Sequence, residues 1–283
     1  MRSHMPANDV IYTRPDDFDL EHERDERDIV FYQQLLRRLE PSRVLDLACG
    51  SGRVTLPLAI VAAEQGFDIV GVDVEAQMLA HARQKCADLD EGVQRRLTLT
   101  QGDMRTWQSK DPFDLVLITC SSITHLLTLD DRLAVWRRAF DHLQPGGRFV
   151  IDVTMPNLRA FAESLQTPPR ALLELDTDST DSQTGRRLVR YKATSFDPFE
   201  QRATIKFFYD RFDDDGHDHY LSDFESHVYF PDELRLLFVH TGFDVEAAWG
   251  DYSFRRPRSW SREIVMMGRR PETRGEAALE RAS

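Results

Sequence analysis

The sequence predicts an α/β fold in which helices cover both faces of a mainly parallel sheet, with a small antiparallel β insertion after the fifth strand. Up to Thr154, segments with strand and helix patterns alternate along the chain, as they do in βαβ units. Most of these strands are continuous apolar runs, which is typical of strands that are buried on both faces. After Thr154, apolar and polar residues alternate with period two, which indicates antiparallel strands.

The alternating part begins with a predicted helix over residues 21–40, where apolar residues recur at helical spacing until Pro41. The segments that follow are predicted, in order, as strand 44–48, helix 53–65, strand 68–73, helix 75–89, strands 97–100 and 113–118, helix 130–143 and strand 148–153. Pro57 is compatible with the second helix because it lies in or near the first turn.

The second half of the chain is predicted as an antiparallel meander that returns to the main sheet. Its three alternating segments, 188–196, 203–212 and 220–230, are separated by turn-like sequences. A helix over 232–240 and strands over 245–249 and 263–267 complete the predicted fold.

These patterns divide the chain into a core with additions before, within and after it. The predicted divisions are a tag remnant at 1–10, an N-terminal lid and helix at 11–42, a core at 43–156 and 231–269, a β insertion at 157–230, and a disordered tail at 270–283. The insertion is expected to cap the substrate or to mediate contact between subunits. The polar N-terminal segment has little apolar area to bury, so it is expected to be mobile until a ligand orders it.

Composition and charge indicate a folded protein and limit the kinds of partner that it is expected to bind. The 283 residues are 41% hydrophobic and 10% aromatic, which is enough for a real core. With 36 basic and 48 acidic residues the net charge is −12, so a nucleic-acid or anionic-membrane partner is not expected. Association into a homo-oligomer stays open.

The cysteines and the apolar runs favour a reduced, cytoplasmic location. Cys49, Cys86 and Cys120 are an odd number without a CxxC pair, so neither a disulfide framework nor a zinc site is expected. No apolar run reaches the roughly 18 residues that a membrane span needs, and the N-terminus lacks a secretion signal.

A glycine-containing loop lies where the first predicted strand meets the following helix. Its sequence over residues 46–53 is Asp-Leu-Ala-Cys-Gly-Ser-Gly-Arg, and Gly50 and Gly52 let a ligand approach the backbone. Thr55 stands where a dinucleotide fingerprint has its third glycine, and there is no Walker lysine. Asp46 favours a cationic or hydroxyl-bearing ligand, and Asp73, which closes the next strand, is placed to accept the hydroxyls of a ribose.

Two further motifs follow the third strand and precede the fifth: Gln101-Gly102-Asp103-Met104 and Leu143-Gln144-Pro145-Gly146-Gly147. Together with Asp-Leu-Ala-Cys-Gly-Ser-Gly-Arg and Asp73, in this order, they resemble the Rossmann-like (class I) S-adenosylmethionine-dependent methyltransferases. The resemblance covers residues 12–269. It implies a seven-stranded methyltransferase sheet, S-adenosylmethionine as cofactor with S-adenosylhomocysteine as product, and no metal.

The resemblance also implies which residues hold the cofactor. Gly50 and Gly52 would approach its methionine part, Asp73 its ribose, and Val74 and Met78 its adenine, although Met78 could equally be ordinary core. Arg53 would pair with the cofactor carboxylate or balance the local charge. The cofactor-binding residues that the resemblance implies are Tyr12, Asp46, Ala48, Gly50, Gly52, Arg53, Asp73, Val74, Met78, Gly102, Asp103, Met104 and Thr119.

The acceptor side of the site is predicted just after the fourth strand. Residues 119–126 read Thr-Cys-Ser-Ser-Ile-Thr-His-Leu and lack the motifs of DNA methyltransferases. They resemble bacterial small-molecule N-methyltransferases, including amino-sugar N,N-dimethyltransferases of antibiotic pathways and the glycine/sarcosine type. By that resemblance His125 lies at the substrate amine and Tyr12 closes over the site as a lid, so both are candidate catalytic residues.

Each of these two assignments has a structural alternative. His125 could cap the following helix or satisfy a buried carbonyl, and Tyr12 could be a surface aromatic. A histidine suits the removal of a proton because its unperturbed pKa of about 6.5 lies near working pH.

The sequence therefore predicts methyl transfer from S-adenosylmethionine to the amine nitrogen of a small natural-product intermediate or metabolite. One alternative is O-methylation of a small molecule. Another is a catalytically silent cofactor-binding or regulatory protein that kept the fold and lost the acceptor site.

Overall fold

The structure is a computed structural model that describes residues 10–23, 25–166, 173–214 and 216–272. The predicted tag remnant up to residue 9 and the predicted tail from residue 273 onwards lie outside these residues. Arg270, which the sequence assigns to the tail, donates its backbone N–H to the Gly147 carbonyl at 2.8 Å.

The described residues form eleven strands and eight α-helices. The strands are β1 (Arg43–Leu47), β2 (Asp68–Asp73), β3 (Leu97–Gln101), β4 (Phe113–Ile118), β5 (Leu143–Thr154), β6 (Leu173–Thr180), β7 (Arg187–Asp197), β8 (Arg202–Asp213), β9 (Gly216–His227), β10 (Asp244–Trp249) and β11 (Glu263–Arg269). The α-helices are α1 (Pro15–His22), α2 (Arg27–Leu39), α3 (Thr55–Gln65), α4 (Ala76–Ala87), α5 (Glu91–Gln94), α6 (Leu129–His142), α7 (Leu158–Ser164) and α8 (Pro231–His240). Two 3₁₀ helices occupy Val10–Thr13 and Ser122–His125. In the part of the chain that the structure describes, no helix is long and apolar enough to cross a membrane.

The chain divides into two compact units. The larger unit comprises the described residues of Arg27–Met155 and Tyr229–Ser283, and the smaller unit those of Met1–Glu26 and Pro156–Val228. The structure thus splits the predicted lid-and-helix segment, since α1 belongs to the smaller unit and α2 to the larger.

The larger unit is built on a seven-stranded sheet with the order β10-β11-β5-β4-β1-β2-β3. Strands β1 to β5 pair in parallel, whereas β11 is antiparallel to both β5 and β10. Alternate residues of a strand face opposite sides, so Leu45 enters one apolar core with Trp136 while Val44 enters a second core with Phe31. Helices on both faces of this sheet confirm the predicted Rossmann-like fold.

Most predicted elements of the larger unit are present, and β2 and β4 have the predicted bounds. The first helix is shorter than predicted, because α2 begins at Arg27 and the residues before it form the separate helix α1, started by Pro15. The fifth strand is longer, since β5 begins at Leu143 and pairs with β4 across a register shift between Phe113 and Leu115. The predicted loop over residues 145–147 therefore lies inside β5.

The smaller unit contains a four-stranded antiparallel sheet in the order β6-β7-β8-β9. The three predicted strands of the meander are present, but β9 ends at His227, three residues before the predicted end. Within the described part of residues 156–228, β6 and α7 were not predicted. The alternation in β6 contains only two apolar residues, Leu173 and Leu175, and both are 60% exposed, so it did not predict a strand.

The N-terminal segment buries more apolar area than its composition suggests. Ile11 and Leu20 are 3% and 7% exposed and pack with Leu188, Phe207 and Tyr209 of the antiparallel sheet. The backbone N–H of Ile11 also donates to the Ser222 hydroxyl at 3.3 Å. The expectation that this segment has little apolar area to bury is therefore wrong for residues 11–20.

Candidate active site

The loop between β1 and α3 has an unusual backbone. Ala48, Gly50 and Gly52 adopt left-handed conformations with φ of 61°, 55° and 76°. The two glycines do so without a steric penalty, whereas alanine costs about 1–2 kcal/mol there.

The two glycines of the loop serve different purposes. A Cβ on Gly52 would lie 3.0 Å from the Leu56 side chain, so this position requires glycine for packing as well as for its backbone. A Cβ on Gly50 would meet no atom within 4 Å. The backbone of Gly50 is thus open to a ligand, which fits its expected approach to the methionine part of the cofactor.

Asp46, the last acidic residue before the loop, is fully buried. The Thr55 hydroxyl donates to its Oδ2 at 2.6 Å, while its Oδ1 has no hydrogen-bond partner among the described residues. Burial raises the pKa of Asp46 to about 7. A cationic group, such as the ammonium or sulfonium of the expected cofactor, would therefore stabilise the ionised form of this carboxyl group.

Asp73 closes β2 beside the same loop. Its Oδ2 accepts the backbone N–H of Gly50 at 2.7 Å, and its Oδ1 accepts that of Glu75 at 2.8 Å. Burial raises its pKa. Because each carboxylate oxygen can accept two hydrogen bonds, Asp73 keeps capacity for the two hydroxyls of a ribose.

The residues assigned to the adenine differ in exposure. Val74 is 44% exposed and lies directly after β2, where a ring could cover it. Met78 is 1% exposed, so the structure places its side chain in the core, which was the competing expectation.

Gly102, Asp103 and Met104 follow β3 in a tightly packed turn. A Cβ on Gly102 would lie 2.5 Å from the Trp107 ring, so only glycine fits there. The Nε of Arg105 donates to both oxygens of Asp103 at 3.0 Å, and this bond lowers the pKa of Asp103. Met104 is partly buried against the core. The pairing of Arg105 with Asp103 was not predicted, because an arginine two residues after an aspartate matches no known sequence motif.

Arg53 forms a buried ion pair within the protein. Its Nη1 donates to Asp28 Oδ1 at 3.2 Å, its Nη2 contacts Asp28 Oδ2, and its Nη2 lies 2.8 Å from the Cys120 sulfur. Asp28 on α2 was not recognised from the sequence. The structure thus shows the local pairing of Arg53, and its pairing with a cofactor carboxylate stays a prediction.

The predicted acceptor segment forms a turn at the end of β4. Thr119 is buried and accepts the Ser122 hydroxyl through its carbonyl at 2.7 Å. Cys120 and Ser121 are left-handed, with φ of 56° and 58°, although neither is glycine. Since β4 runs parallel to β1 beside it, this turn adjoins residues 48–54, the loop between β1 and α3 that is called the cofactor loop below, as the Arg53–Cys120 contact also shows.

His125 ends the 3₁₀ helix that follows this turn. Part of its side chain reaches the surface, but its surroundings are dense enough that burial lowers its pKa to about 4. The pKa of His125 is thus below the unperturbed value of about 6.5 that favoured it as a base, and its catalytic role stays a prediction. His125 is neutral at working pH, which suits a hydrogen-bond acceptor better than a strong base.

Tyr12 lies in the smaller unit, beside the apolar core that Ile11 and Leu20 form with the antiparallel sheet. Its ring centroid lies 6.0 Å from that of Phe18. The roles of Tyr12 as lid and as cofactor contact stay predictions.

Comparison with known proteins adds an independent line of evidence. A family model described as a methyltransferase domain matches residues 44–147. A protein of Bacillus subtilis (strain 168) named as a methyltransferase, YqeM, is 26% identical over 244 residues, which are 83% of this chain and 86% of that protein.

Two further similarities concern enzymes and structures from Streptomyces. The dTDP-3-amino-3,4,6-trideoxy-alpha-D-glucopyranose N,N-dimethyltransferase of Streptomyces venezuelae is 34% identical over 116 residues, 41% of this chain and 44% of the enzyme. The structure of the CcbJ methyltransferase from Streptomyces caelestis superposes with a TM-score of 0.70 and 23% identity, covering 89% of this chain and 95% of that chain. At this identity the structural similarity establishes the fold.

Proposed function

We propose that this chain, which carries a methyltransferase domain of the S-adenosylmethionine-dependent class, methylates the amine nitrogen of a small molecule. The observation that carries the proposal is His125, a neutral imidazole that follows the turn next to the cofactor loop. A neutral imidazole can accept a hydrogen bond from an amine and so direct its lone pair.

The residues of the cofactor loop support the cofactor half of the proposal. S-Adenosylmethionine supplies a methyl group that is already activated on a sulfonium, so a neutral amine can accept it without a covalent intermediate on the protein. Asp73 would hold the ribose hydroxyls, and the open backbone at Gly50 would lie along the methionine part. Asp46 would stabilise positive charge there.

The chemistry that remains for the protein is orientation and the exclusion of competing water. Holding two reacting groups in line can be worth roughly 7–11 kcal/mol of the barrier. Because the pKa of His125 is about 4, this residue does not hold a proton taken from an ammonium group at neutral pH. We therefore assign it the orientation of an amine that reaches the site in the neutral form.

The proposed acceptor is an amine of a natural-product intermediate, as in antibiotic biosynthesis. The similarity to an amino-sugar N,N-dimethyltransferase supports this assignment, although it covers less than half of each chain. The net charge of −12 disfavours nucleic acid and anionic membranes as substrates. An amino sugar, or another small amine, meets no such repulsion.

A screen for S-adenosylhomocysteine release tests the proposal. Purified protein is incubated with S-adenosylmethionine and pooled amines, phenols or carboxylic acids, and products are identified by mass. We expect release with amines and a product heavier by one or two methyl groups. Release with phenols or acids would assign O-methylation instead, and cofactor binding without release in any pool would favour a catalytically silent protein.

A further inference from the structure

The turn at Cys120 and Ser121 needs support from its surroundings. Two consecutive non-glycine residues with φ near +57° form a conformation that an isolated chain rarely populates. Such a conformation persists only where neighbouring groups over-determine it. The groups that hold this turn therefore decide how the acceptor side of the site is presented.

A single buried carboxylate supplies most of that support. Asp152 on β5 is fully buried, and its Oδ2 accepts the backbone N–H of Cys120 at 3.1 Å. Its Oδ1 accepts the backbone N–H of Ser121 at 2.8 Å. The Tyr32 hydroxyl on α2 donates to Oδ2 at 2.5 Å and fixes the carboxylate from the other side. Hydrogen bonds to a carboxylate are among the strongest that neutral donors make.

A second set of contacts ties the turn to the same strand. The backbone N–H of Thr154 donates to the Ser121 hydroxyl oxygen at 2.9 Å, and the two hydroxyl oxygens are 3.2 Å apart. On the other side, Arg53 contacts the Cys120 sulfur. The turn is thus attached to β5, to α2 through Tyr32, and to the cofactor loop through Arg53.

We propose that Asp152, held by Tyr32, is a positioning residue that fixes the Cys120–Ser121 turn and, through it, the 3₁₀ helix that carries His125. The proposal rests on the proposed methyl transfer, since it assigns this turn to the acceptor. The proposal gives Asp152 no contact with the acceptor, since both of its carboxylate oxygens accept backbone N–H groups of the turn.

A carboxylate at this buried position is better explained by its hydrogen bonds to the turn than by a contribution to the stability of the fold. A buried carboxylate loses hydration, and apolar residues of similar volume often stabilise a fold as well or better. Burial accordingly raises the pKa of Asp152 to about 6. Two convergent backbone N–H groups and one phenol explain why this acidic residue occupies an interior position of β5.

The test compares Asp152→Asn and Tyr32→Phe with Asp114→Asn as a matched control. Asp114 accepts the backbone N–H groups of Ser42 and Arg43 at 2.9 and 2.8 Å where the chain enters β1, at the opposite end of the sheet. The control removes a carboxylate that also accepts two backbone N–H groups, but at the far end of the sheet. Each variant is measured for kcat and acceptor KM with an amine found in the screen, and for S-adenosylhomocysteine affinity by calorimetry. Amide exchange is followed in a peptide covering residues 119–126.

For Asp152→Asn we expect kcat to fall about 10²-fold, the effect of misplacing a reacting group by about 1 Å. Acceptor KM should rise and the amides of the turn should exchange faster, while S-adenosylhomocysteine affinity stays within about twofold. Tyr32→Phe keeps the carboxylate and should show smaller changes in kcat, acceptor KM and amide exchange in the same directions. If Asp152→Asn does not fold, Tyr32→Phe tests the proposal in its place. Asp114→Asn should leave kcat, KM and exchange at the turn unchanged.

The pH profile gives a readout that a purely structural role would not move. Wild-type kcat should fall below about pH 6 as Asp152 becomes protonated, and this limb should be absent in Asp152→Asn. The titratable groups that act on Asp152 are Tyr32, Asp28, Asp46, Cys120 and Tyr252. Because Asp152 acts on the pKa values of these groups in turn, the limb is assigned to Asp152 when it is absent in Asp152→Asn and kept in Asp114→Asn.

Two results would overturn the proposal. One is unchanged kcat and unchanged exchange at the turn in Asp152→Asn. The other is an equal loss of cofactor affinity and turnover, which would assign Asp152 to the fold. If wild type methylates no amine, the proposed function fails, but exchange at the turn in the two variants still decides whether Asp152 holds it.

Discussion

Individual carboxyl groups in the larger unit serve the fold and the expected ligand at once, and Asp73 is the clearest case. It accepts two backbone N–H groups of the loops on either side of it, and it is only 8% exposed. Its side chain therefore organises the turn around Gly50 before any ribose is present. The sequence suggested a carboxylate that faces only the ligand, whereas the structure shows one with a second, structural role.

Replacing Asp73 by alanine should weaken S-adenosylmethionine binding by about 1–3 kcal/mol, because an acceptor of ribose hydroxyls is lost. The free energy of unfolding should also fall, by about 1–2 kcal/mol, since two backbone N–H groups lose their partner. Calorimetric titration and thermal melting measure the two effects. Asp114→Asn, which removes a similar carboxylate elsewhere, should lower stability alone. Unchanged affinity in Asp73→Ala would remove the ribose assignment.

Replacing His125 by alanine separates orientation from base catalysis. With a pKa of about 4, His125 should contribute mainly by orienting the amine, so kcat should fall toward the lower end of the 10²–10⁴-fold range typical of general bases, at about 10²-fold or less. S-Adenosylhomocysteine affinity should stay unchanged. The kcat profile should show no limb near pH 6.5 that disappears in the variant. Such a limb would restore His125 as the base.

At the scale of elements, strands with a strong apolar pattern were predicted well, and elements with a weak pattern were not. β2 and β4 are continuous apolar runs and have the predicted bounds. The helix predicted over residues 21–40 begins only at Arg27, since the spacing of apolar residues does not reveal that α1 ends at His22. β6 reads Leu-Glu-Leu-Asp-Thr-Asp-Ser-Thr, and its alternation was too weak to predict a strand because only the two leucines are apolar and both are 60% exposed.

The N-terminal helix α1 is expected to behave as part of the smaller unit. Leu20 is buried, and the carboxylates of Asp17 and Glu21 accept the Tyr220 and Tyr209 hydroxyls at 2.8 and 2.9 Å. Amides of residues 18–22 should therefore exchange as slowly as those of β8, with or without S-adenosylhomocysteine.

Hydrogen exchange followed by mass spectrometry measures this directly. Leu20→Ala serves as the comparison variant. Loss of a buried leucine side chain lowers the free energy of unfolding by about 2–5 kcal/mol and should detach α1 from the antiparallel sheet, so its amides should exchange faster. Marked slowing of exchange around Tyr12 on addition of S-adenosylhomocysteine would instead support the predicted lid.

At the scale of the whole molecule, the pairs that build the candidate site join residues far apart in the sequence. Tyr32 and Asp152 are 120 residues apart, and Arg53 and Cys120 are 67 apart. The cofactor loop was predictable because its residues are consecutive and follow a strand. The pairs were not, because each partner looks ordinary within its own helix, strand or loop, and only the parallel arrangement of β1, β4 and β5 brings them together.

The buried carboxyl groups of the larger unit should make stability depend on pH in a direction that a variant can isolate. The pKa of Asp46 is raised from its ordinary value to about 7, so the folded protein binds its proton more tightly than the unfolded chain does. Its contribution to stability is complete below about pH 4 and is lost as pH rises through 7. His125 and His142, whose pKa values are lowered to about 4, act in the opposite direction over the same range. The pH dependence of wild type alone therefore does not identify Asp46.

Comparing Asp46→Asn with wild type isolates this carboxyl group, because the histidines are common to both proteins. An asparagine can still accept the Thr55 hydroxyl but cannot ionise. The variant should gain stability relative to wild type as pH rises from about 4 to 7, approaching roughly 4 kcal/mol by pH 8. Thermal melting would show this as a difference that grows by about 2–4 °C for each kcal/mol. A difference that stays constant over this pH range would mean that Asp46 is already ionised at pH 4, held by charge or hydrogen bonds that outweigh its burial.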